Sequence, residues 1–244
     1  MPVSPRLYVE SPLAGGVLLD LGEEASNYLA RVLRLGLGGE ARLFNARDGE
    51  WLARIEAVGA RRVSVRLESQ LRAPGAATAP ALTLLFAPVK KDGTDLIAEK
   101  ATELGAAVLR PVFTERTQTR AVRLDRMRKI TLEAAEQTER LDLPEVLEPM
   151  ALSHALAALR PGTALVFCDE GGGGEPVLDA LARLKGRDAA ILTGPEGGFT
   201  EFERSALKAR PDTFPVSLGP RILRAETAAI SAMTLWQAVC GDWG

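Results

Sequence analysis

The chain has 244 residues, 46% of them hydrophobic and 25% charged, with a formal net charge of −2. These are the proportions of an ordinary water-soluble protein, long enough for one large domain or two smaller ones without disulfide or metal staples. A nearly neutral chain has no global pull on polyanions, so a nucleic-acid site must be a local patch. No apolar run approaches the ~20 residues of a membrane span, and no basic-then-apolar leader is visible, so the expected location is the cytosol.

From the amino terminus, "RLYV", "GVLLD", "EARLFNA", "EWLARIEAV" and "RRVSVRLES" are short runs alternating with period two, separated by Gly-rich and Asp-Gly turns. The pattern predicts a small β-barrel or sandwich over residues 1–72, with Arg6 opening its first strand. One helix-like segment, "EEASNYLARVLRL", interrupts the strands. On it Arg31 and Arg34 fall on one side at i,i+3, while Leu29, Val32 and Leu33 are expected to pack inward. "APGAATAP" (73–80) reads as a linker.

Over 81–244 short apolar runs alternate with helical patterns, which predicts an α/β domain with a mainly parallel sheet. The expected strands are "LTLLFAP", "AVLRPVF", "ALVFCD", "AAILTG" and "TFPVSLG", and the last helix begins near Glu226. From Arg110 to Lys129 seven basic residues (Arg110, Arg116, Arg120, Arg123, Arg126, Arg128, Lys129) face two acidic ones (Glu115, Asp125), a local excess of five positive charges. This stretch suits phosphate contact, or simply a solvated face neutralised by neighbours elsewhere. In the following helix Met127, Ile130, Ala134 and Leu141 mark a core stripe on which Gln137 also falls, so a buried amide facing a pocket or interface is expected there, with Arg140 close by. The single His154 lies in "ALSHALAAL", and Cys168 and Cys240 form no CxxC pair. That argues against a Ser-His-Asp triad and against a zinc or other metal site. The run Gly171–Gly174 carries no basic residue or Ser/Thr to complete a phosphate cradle and reads as a flexible surface loop.

Two strand ends carry more information. "AAILTGPEGGFTEFE" leaves a buried strand, turns through Gly194, Pro195, Glu196, Gly197 and Gly198, and enters a helix whose Thr200 and Glu203 form a capping box. Open α/β sheets bind ligands at the carboxyl ends of their strands, and glycines there let backbone groups touch a ligand. The capping box gives Thr200 and Glu203 a structural task; Glu196 has none. "VSLGPRILRAETAAISAM" leaves a second strand through Gly219-Pro220, presents Arg221 and Arg224, and enters a small-residue helix where Glu226 either serves the helix dipole or the chemistry. Neither loop matches a dinucleotide or P-loop fingerprint.

"ILTGPEGGFTEFE" and "VSLGPRILRAETA" closely resemble the signature segments of RsmE-type ribosomal RNA methyltransferases of the SPOUT class, which methylate uracil N3. The resemblance extends to "KKDGTDLIAEKATELGAAVLRPVFTERTQTR", "EAAEQTER" and "NYLARVLRLGLGGEARLFNARDGEW", nearly the whole chain. It implies a PUA-like β-barrel RNA-binding domain followed by a SPOUT-type α/β domain with a carboxyl-terminal trefoil knot, a homodimer, and S-adenosylmethionine bound in the knot. Cofactor contacts are then expected from Thr193, Gly194, Pro195, Glu196, Gly197 and Gly198. The second loop would add Ser217, Leu218, Gly219, Ile222, Leu223, Arg224, Thr227 and Ala228. Methyl transfer needs no metal, but the uracil N3–H must be removed or its anion stabilised; Arg221, Arg224, Glu226 and Glu196 are the candidate catalytic residues. RNA contacts are expected from Arg6, Arg31, Arg34, Arg116, Arg120, Arg123, Gln137 and Arg140. Many relatives have a histidine before the "VLR" element where this chain has Asn27-Tyr28, so an amino-terminal histidine is not needed for its chemistry. A noncatalytic ribosome-assembly factor and a SPOUT enzyme acting on transfer RNA remain the alternatives.

Overall fold

The structure is a computed structural model that describes residues 4–75 and 79–243. Residues 76–78 of the expected linker lie outside the described residues, and 73–75, 79 and 80 form neither helix nor strand. The chain divides into two compact units, Met1–Ala76 with Ala135–Leu143, and Ala77–Ala134 with Pro144–Gly244.

The first unit is a five-stranded mixed sheet built from β1 (Arg6–Tyr8), β2 (Leu18–Asp20), β3 (Glu40–Asn45), β4 (Gly49–Val58) and β5 (Val63–Arg72) in the order β1-β3-β4-β5-β2. Only the β1–β3 pair is parallel. Alternation decides which side is core: Val63, Val65 and Leu67 of β5 are buried with Leu43, Ile55 and Leu29, while Arg66 and Glu68 point out. Between β2 and β3 lie α1 (Glu23–Asn27) and a π-helical turn, Tyr28–Val32. The wider turn breaks the 3.6-residue phase on which the inward packing of Val32 and Leu33 rested. Leu29 is buried, but Val32 is 61% exposed, and Arg34 lies past the turn with a left-handed φ of 56°, so Arg31 and Arg34 do not share a helix face.

Arg6 corrects a second expectation. Its side chain is buried rather than offered to RNA: Nε lies 3.3 Å from Glu50, Nη1 donates to Ala135 O at 2.8 Å, Nη2 donates to Arg140 O, and the guanidinium sits 3.5 Å from the Phe44 ring centroid. Burial lowers its pKa from the usual arginine value, with Glu50 opposing the shift. Glu50, fully buried, also pairs with Arg42 at 3.0 Å and Arg72 at 3.3 Å. Removing one partner of such a buried cluster would leave charge uncompensated. Together with Tyr8 N donating to Glu136 (3.0 Å) and Arg72 to Glu139 O (2.8 Å), these bonds explain why residues 135–143 group with a sheet far away in sequence.

The second unit contains β6 (Leu82–Phe86), α2 (Lys91–Glu103), β7 (Val108–Phe113), α3 (Leu124–Gln137), β8 (Glu145–Val146), β9 (Met150–Ala151) and α4 (Leu152–Ala157). These are followed by β10 (Ala164–Cys168), β11 (Glu175–Pro176), α5 (Val177–Ala182), β12 (Ala189–Thr193), α6 (Glu201–Ala209), β13 (Thr213–Ser217) and α7 (Ala225–Val239). The sheet runs β11-β13-β10-β12-β6-β7-β8 with every pair parallel, and β9 joins β7 alongside. Helices on both faces bury β10 and β12 completely, which is why they read as unbroken apolar runs. Of the expected α3 stripe, Met127 and Ala134 are buried, but the helix ends at Gln137, which is exposed, and Glu139 turns the chain with a left-handed φ of 60°. Gln137 is therefore not a buried amide, and Leu141 and Arg140 do not continue the helix. In sheet order β10 separates β13 from β12. The carboxyl ends of these three strands stand side by side, and the loops that leave them converge.

A candidate cofactor site at three strand ends

Those loops enclose an open-sided cavity of about 380 Å³, within the range of small-molecule sites. The turn after β12 contributes Thr193, Gly194, Pro195, Glu196 and Gly198. From the segment after β13 come Ser217, Leu218, Gly219, Arg221, Ile222 and Leu223, joined by Ala228 from α7. Pro220, Val216 and Ala225 complete that side. Four of the expected residues do not line the cavity. Gly197 lies under the Arg116 side chain, Arg224 is the exposed N-cap of α7, Thr227 is exposed, and the Glu226 carboxylate turns towards Gly93 of α2.

The wall that the sequence did not reveal comes from the loop after β10: Cys168, Asp169, Glu170 and Gly172. The glycine run expected to be a surface loop is part of the site. The available signal was "FCDEGGGG", a strand end followed by two acids and Cβ-free residues; what hid it was that its partners lie thirty residues on. Asp169 is buried and pairs with Arg204 Nη2 at 2.9 Å and Lys208 Nζ at 2.8 Å, both on α6. Gly171 makes room for this arrangement, since a Cβ there would overlap the Arg204 guanidinium. Glu170 Oε1 accepts the Phe199 N–H at 2.8 Å, tying the β10 loop to the β12 loop. Gly198 sits at that junction with φ of 65°, where a Cβ would strike the Glu170 carboxylate. Both its conformation and its closeness require glycine. The capping box forms as expected: Glu203 N donates to Thr200 Oγ1 at 3.2 Å and Thr200 N to Glu203 Oε2 at 2.9 Å.

Two polar groups of the cavity floor remain undersatisfied. Among the described residues Thr193 Oγ1 is buried without a hydrogen-bond partner, and Asp169 Oδ2 has its ion pair to Lys208 but no hydrogen bond of good direction. A ligand with its own polar atoms would complete them, which is how a nucleoside-like cofactor fits a site otherwise built of backbone and small side chains. Cys168 lies on the same wall, and burial, assisted by the Glu170 charge, pushes its thiol up to about 12. Among the described residues no group of three or more His, Cys, Asp or Glu is placed to hold a metal ion.

Of the basic stretch, Arg116 is exposed and donates to Gly197 O at 3.0 Å, so it abuts the glycine turn directly. Arg120 lies over the Phe113 ring at 5.4 Å, and Arg123 is exposed. Arg126 is paired with Asp95, and Arg128 lies near Asp125 and Glu148. In the first unit Arg31 borders a cavity of about 650 Å³ with Arg61 and Arg62, and Arg34 is exposed. Arg140 is mostly covered and bound to Asp142 at 2.9 Å. The expected RNA contacts thus include a surface set and an internal one, with Arg6 in the latter.

A parallel sheet whose carboxyl-end loops form a glycine-bearing, nucleoside-sized cavity is shared with a class of RNA methyltransferases. Residues 77–237 match the family described as "RNA methyltransferase domain", and 21–68 match "RNA methyltransferase PUA domain". The chain belongs to the ribosomal RNA small subunit methyltransferase E family: it is 37% identical over 230 residues to the member from Rickettsia conorii, covering 93% of each chain. The Synechocystis member is 36% identical, over 85% of this chain and 68% of its own. Among solved structures, a putative methyltransferase from Legionella pneumophila in complex with the bound cofactor SAM superposes with a TM-score of 0.87 at 31% identity, covering 96% of this chain and 97% of its own. Ribosomal RNA small subunit methyltransferase E from Neisseria gonorrhoeae bound to S-adenosyl methionine gives 0.84 at 28% identity, covering 99% and 100%.

Proposed function

We propose that this chain transfers the methyl group of S-adenosylmethionine to N3 of a uridine in small-subunit ribosomal RNA. The observation that carries the reading is the three-loop cavity: it offers unsatisfied polar atoms, and a glycine from each of its three loops lines it, in a fold whose relatives are described with this cofactor bound. When bound, the cofactor would supply an electrophilic methyl group, and transfer from a sulfonium requires no metal.

The protein's share of the chemistry is positioning and proton management. An in-line approach of the acceptor nitrogen supplies a large part of the rate. Uracil N3 carries a proton at neutral pH, and the exposed Glu196 and Arg221 on the cavity rim are the groups placed to meet it. Arg221 offers paired planar donors to the imide anion, and Glu196 offers a carboxylate to take the proton. Glu226, which does not line the cavity, is assigned to α7 and its dipole instead. Arg31, Arg34, Arg116, Arg120 and Arg123 supply the positive surface for the RNA backbone. The carboxyl-terminal trefoil knot, the homodimer and a cytosolic location belong to the same proposal, supported by membership of the family.

The test is transfer of labelled methyl from S-adenosylmethionine to unmodified small subunits, to deproteinised small-subunit RNA and to bulk transfer RNA, with the product nucleoside identified. 3-Methyluridine in small-subunit RNA is the expected result. Label in transfer RNA alone, or a different methylated nucleoside, would overturn it.

A further inference from the structure

The turn after β12 has two sides. Glu196 and Gly198 line the cavity, whereas Gly197 between them does not; it lies under Arg116, whose Nη1 donates to Gly197 O at 3.0 Å. A Cβ on Gly197 would come within 3.3 Å of the Arg116 Cβ, so the missing side chain is what lets the arginine lie so close.

The loop that carries Arg116 is held from beneath. Thr114 and Thr117 are buried, and Thr114 N donates to Thr117 Oγ1 at 2.9 Å while Thr117 N donates to Thr114 O at 3.2 Å, closing a tight turn. Glu115 N donates to Glu203 Oε1 at 2.9 Å, and Oε2 of the same carboxylate closes the capping box of α6. The backbone is thus fixed on either side of Arg116, and what can still adjust is its exposed side chain.

That side chain has donors to spare. A guanidinium carries five N–H groups in one plane, and Gly197 O takes one of them. Among the described residues Arg116 forms no ion pair: Glu203 is spent on Glu115 N and the α6 cap, and neither Glu115 nor Glu196 pairs with it. An exposed arginine gives up rotamer freedom each time it holds a carbonyl. Once a phosphate has fixed the guanidinium by its free edge, that freedom is already lost and the turn is held more of the time. A ligand seated against Glu196 and Gly198 steadies the same carbonyl from the opposite side, and linkage makes the effect mutual.

Accepting RNA and S-adenosylmethionine as the ligands proposed above, we infer that Arg116 is a positioning residue that couples them: an RNA phosphate on its free donors and the cofactor in the cavity each strengthen the binding of the other through Gly197 O.

Equilibrium dialysis of labelled S-adenosylhomocysteine, which has the cofactor's shape but no methyl group to transfer, reads this coupling. With wild-type protein saturated by unmodified small subunits, its Kd should be about tenfold lower than without them. Arg116→Met keeps an aliphatic stem over Gly197 and removes the donors, and at saturating subunits its ratio should fall to about one. Arg123→Ala removes a charge from the same basic stretch at a side chain that makes no hydrogen bond to the turn among the described residues. It should need more subunits to saturate and keep the wild-type ratio. No tightening in wild type, a ratio that survives in Arg116→Met, or an equal loss in both variants would overturn the coupling. If wild-type protein fails to bind S-adenosylhomocysteine or fails to sediment with the subunits, it is the broader reading of cofactor and substrate that fails.

Discussion

Asp48 sits in a turn where the Arg47 guanidinium, the Leu13 N–H and the Asn45 amide all donate to its carboxylate, which brings its pKa down to about 2. A carboxyl with a depressed folded-state pKa binds fewer protons than the same group in the unfolded chain, so stability rises as pH rises across that interval and is lost as pH falls. Its contribution is fully present above the ordinary carboxylate pKa near 4 and is lost as pH falls towards about 2. Asp48→Asn should therefore be less stable than wild type at pH 7 in denaturant unfolding, with the gap closing between about pH 4 and pH 2. A gap that stays constant across that window would contradict the assignment. Glu50 is a different case at the same scale: buried among Arg6, Arg42 and Arg72, it has compensation from within the protein rather than from solvent.

At the scale of elements, α6 depends on its first turn. Thr200→Ala removes the side-chain acceptor for Glu203 N and should cost about 1 kcal/mol in urea unfolding without changing the m-value. This element was legible in the sequence because all its determinants are local: an apolar run, a glycine turn and a Thr with a Glu three residues on. The same holds for β12 and β13 and for the two loops that leave them. The wall after β10 was not legible, because the Gly171–Gly174 run makes sense only beside Arg204, and the Glu170 carboxylate only beside the Phe199 amide. Arg6 was misread for the same reason, its partner Glu50 lying on another strand. Leu141 and Val32 failed differently: each was placed by extending a helical period past a point where the backbone changes, at Glu139 and in the π turn, while Gln137 is exposed as the last residue of α3. Periodicity shows which face is buried only while the period lasts.

For the molecule as a whole, a net charge of −2 means that RNA affinity must come from a few uncommitted cations. The structure shows which of the basic stretch these are. Arg126 is committed to Asp95, while Arg123 is exposed with no ion pair among the described residues. Arg123→Ala should weaken RNA binding and flatten the slope of log K against log salt by about 0.7 for one lost single-strand phosphate contact. An unchanged slope would place Arg123 away from the backbone. Arg116 has two tasks, since the guanidinium that holds Gly197 O retains further donors for a phosphate.

The thiol of Cys168 shares a wall with the cavity proposed to hold a methyl donor. A sulfonium alkylates soft nucleophiles, and a thiolate is the softest the protein possesses, so such a neighbour invites self-methylation. With burial pushing its thiol up to about 12, Cys168 stays protonated at neutral pH. The enzyme can keep sulfur beside an alkylating agent because it withholds the one form of sulfur that would react.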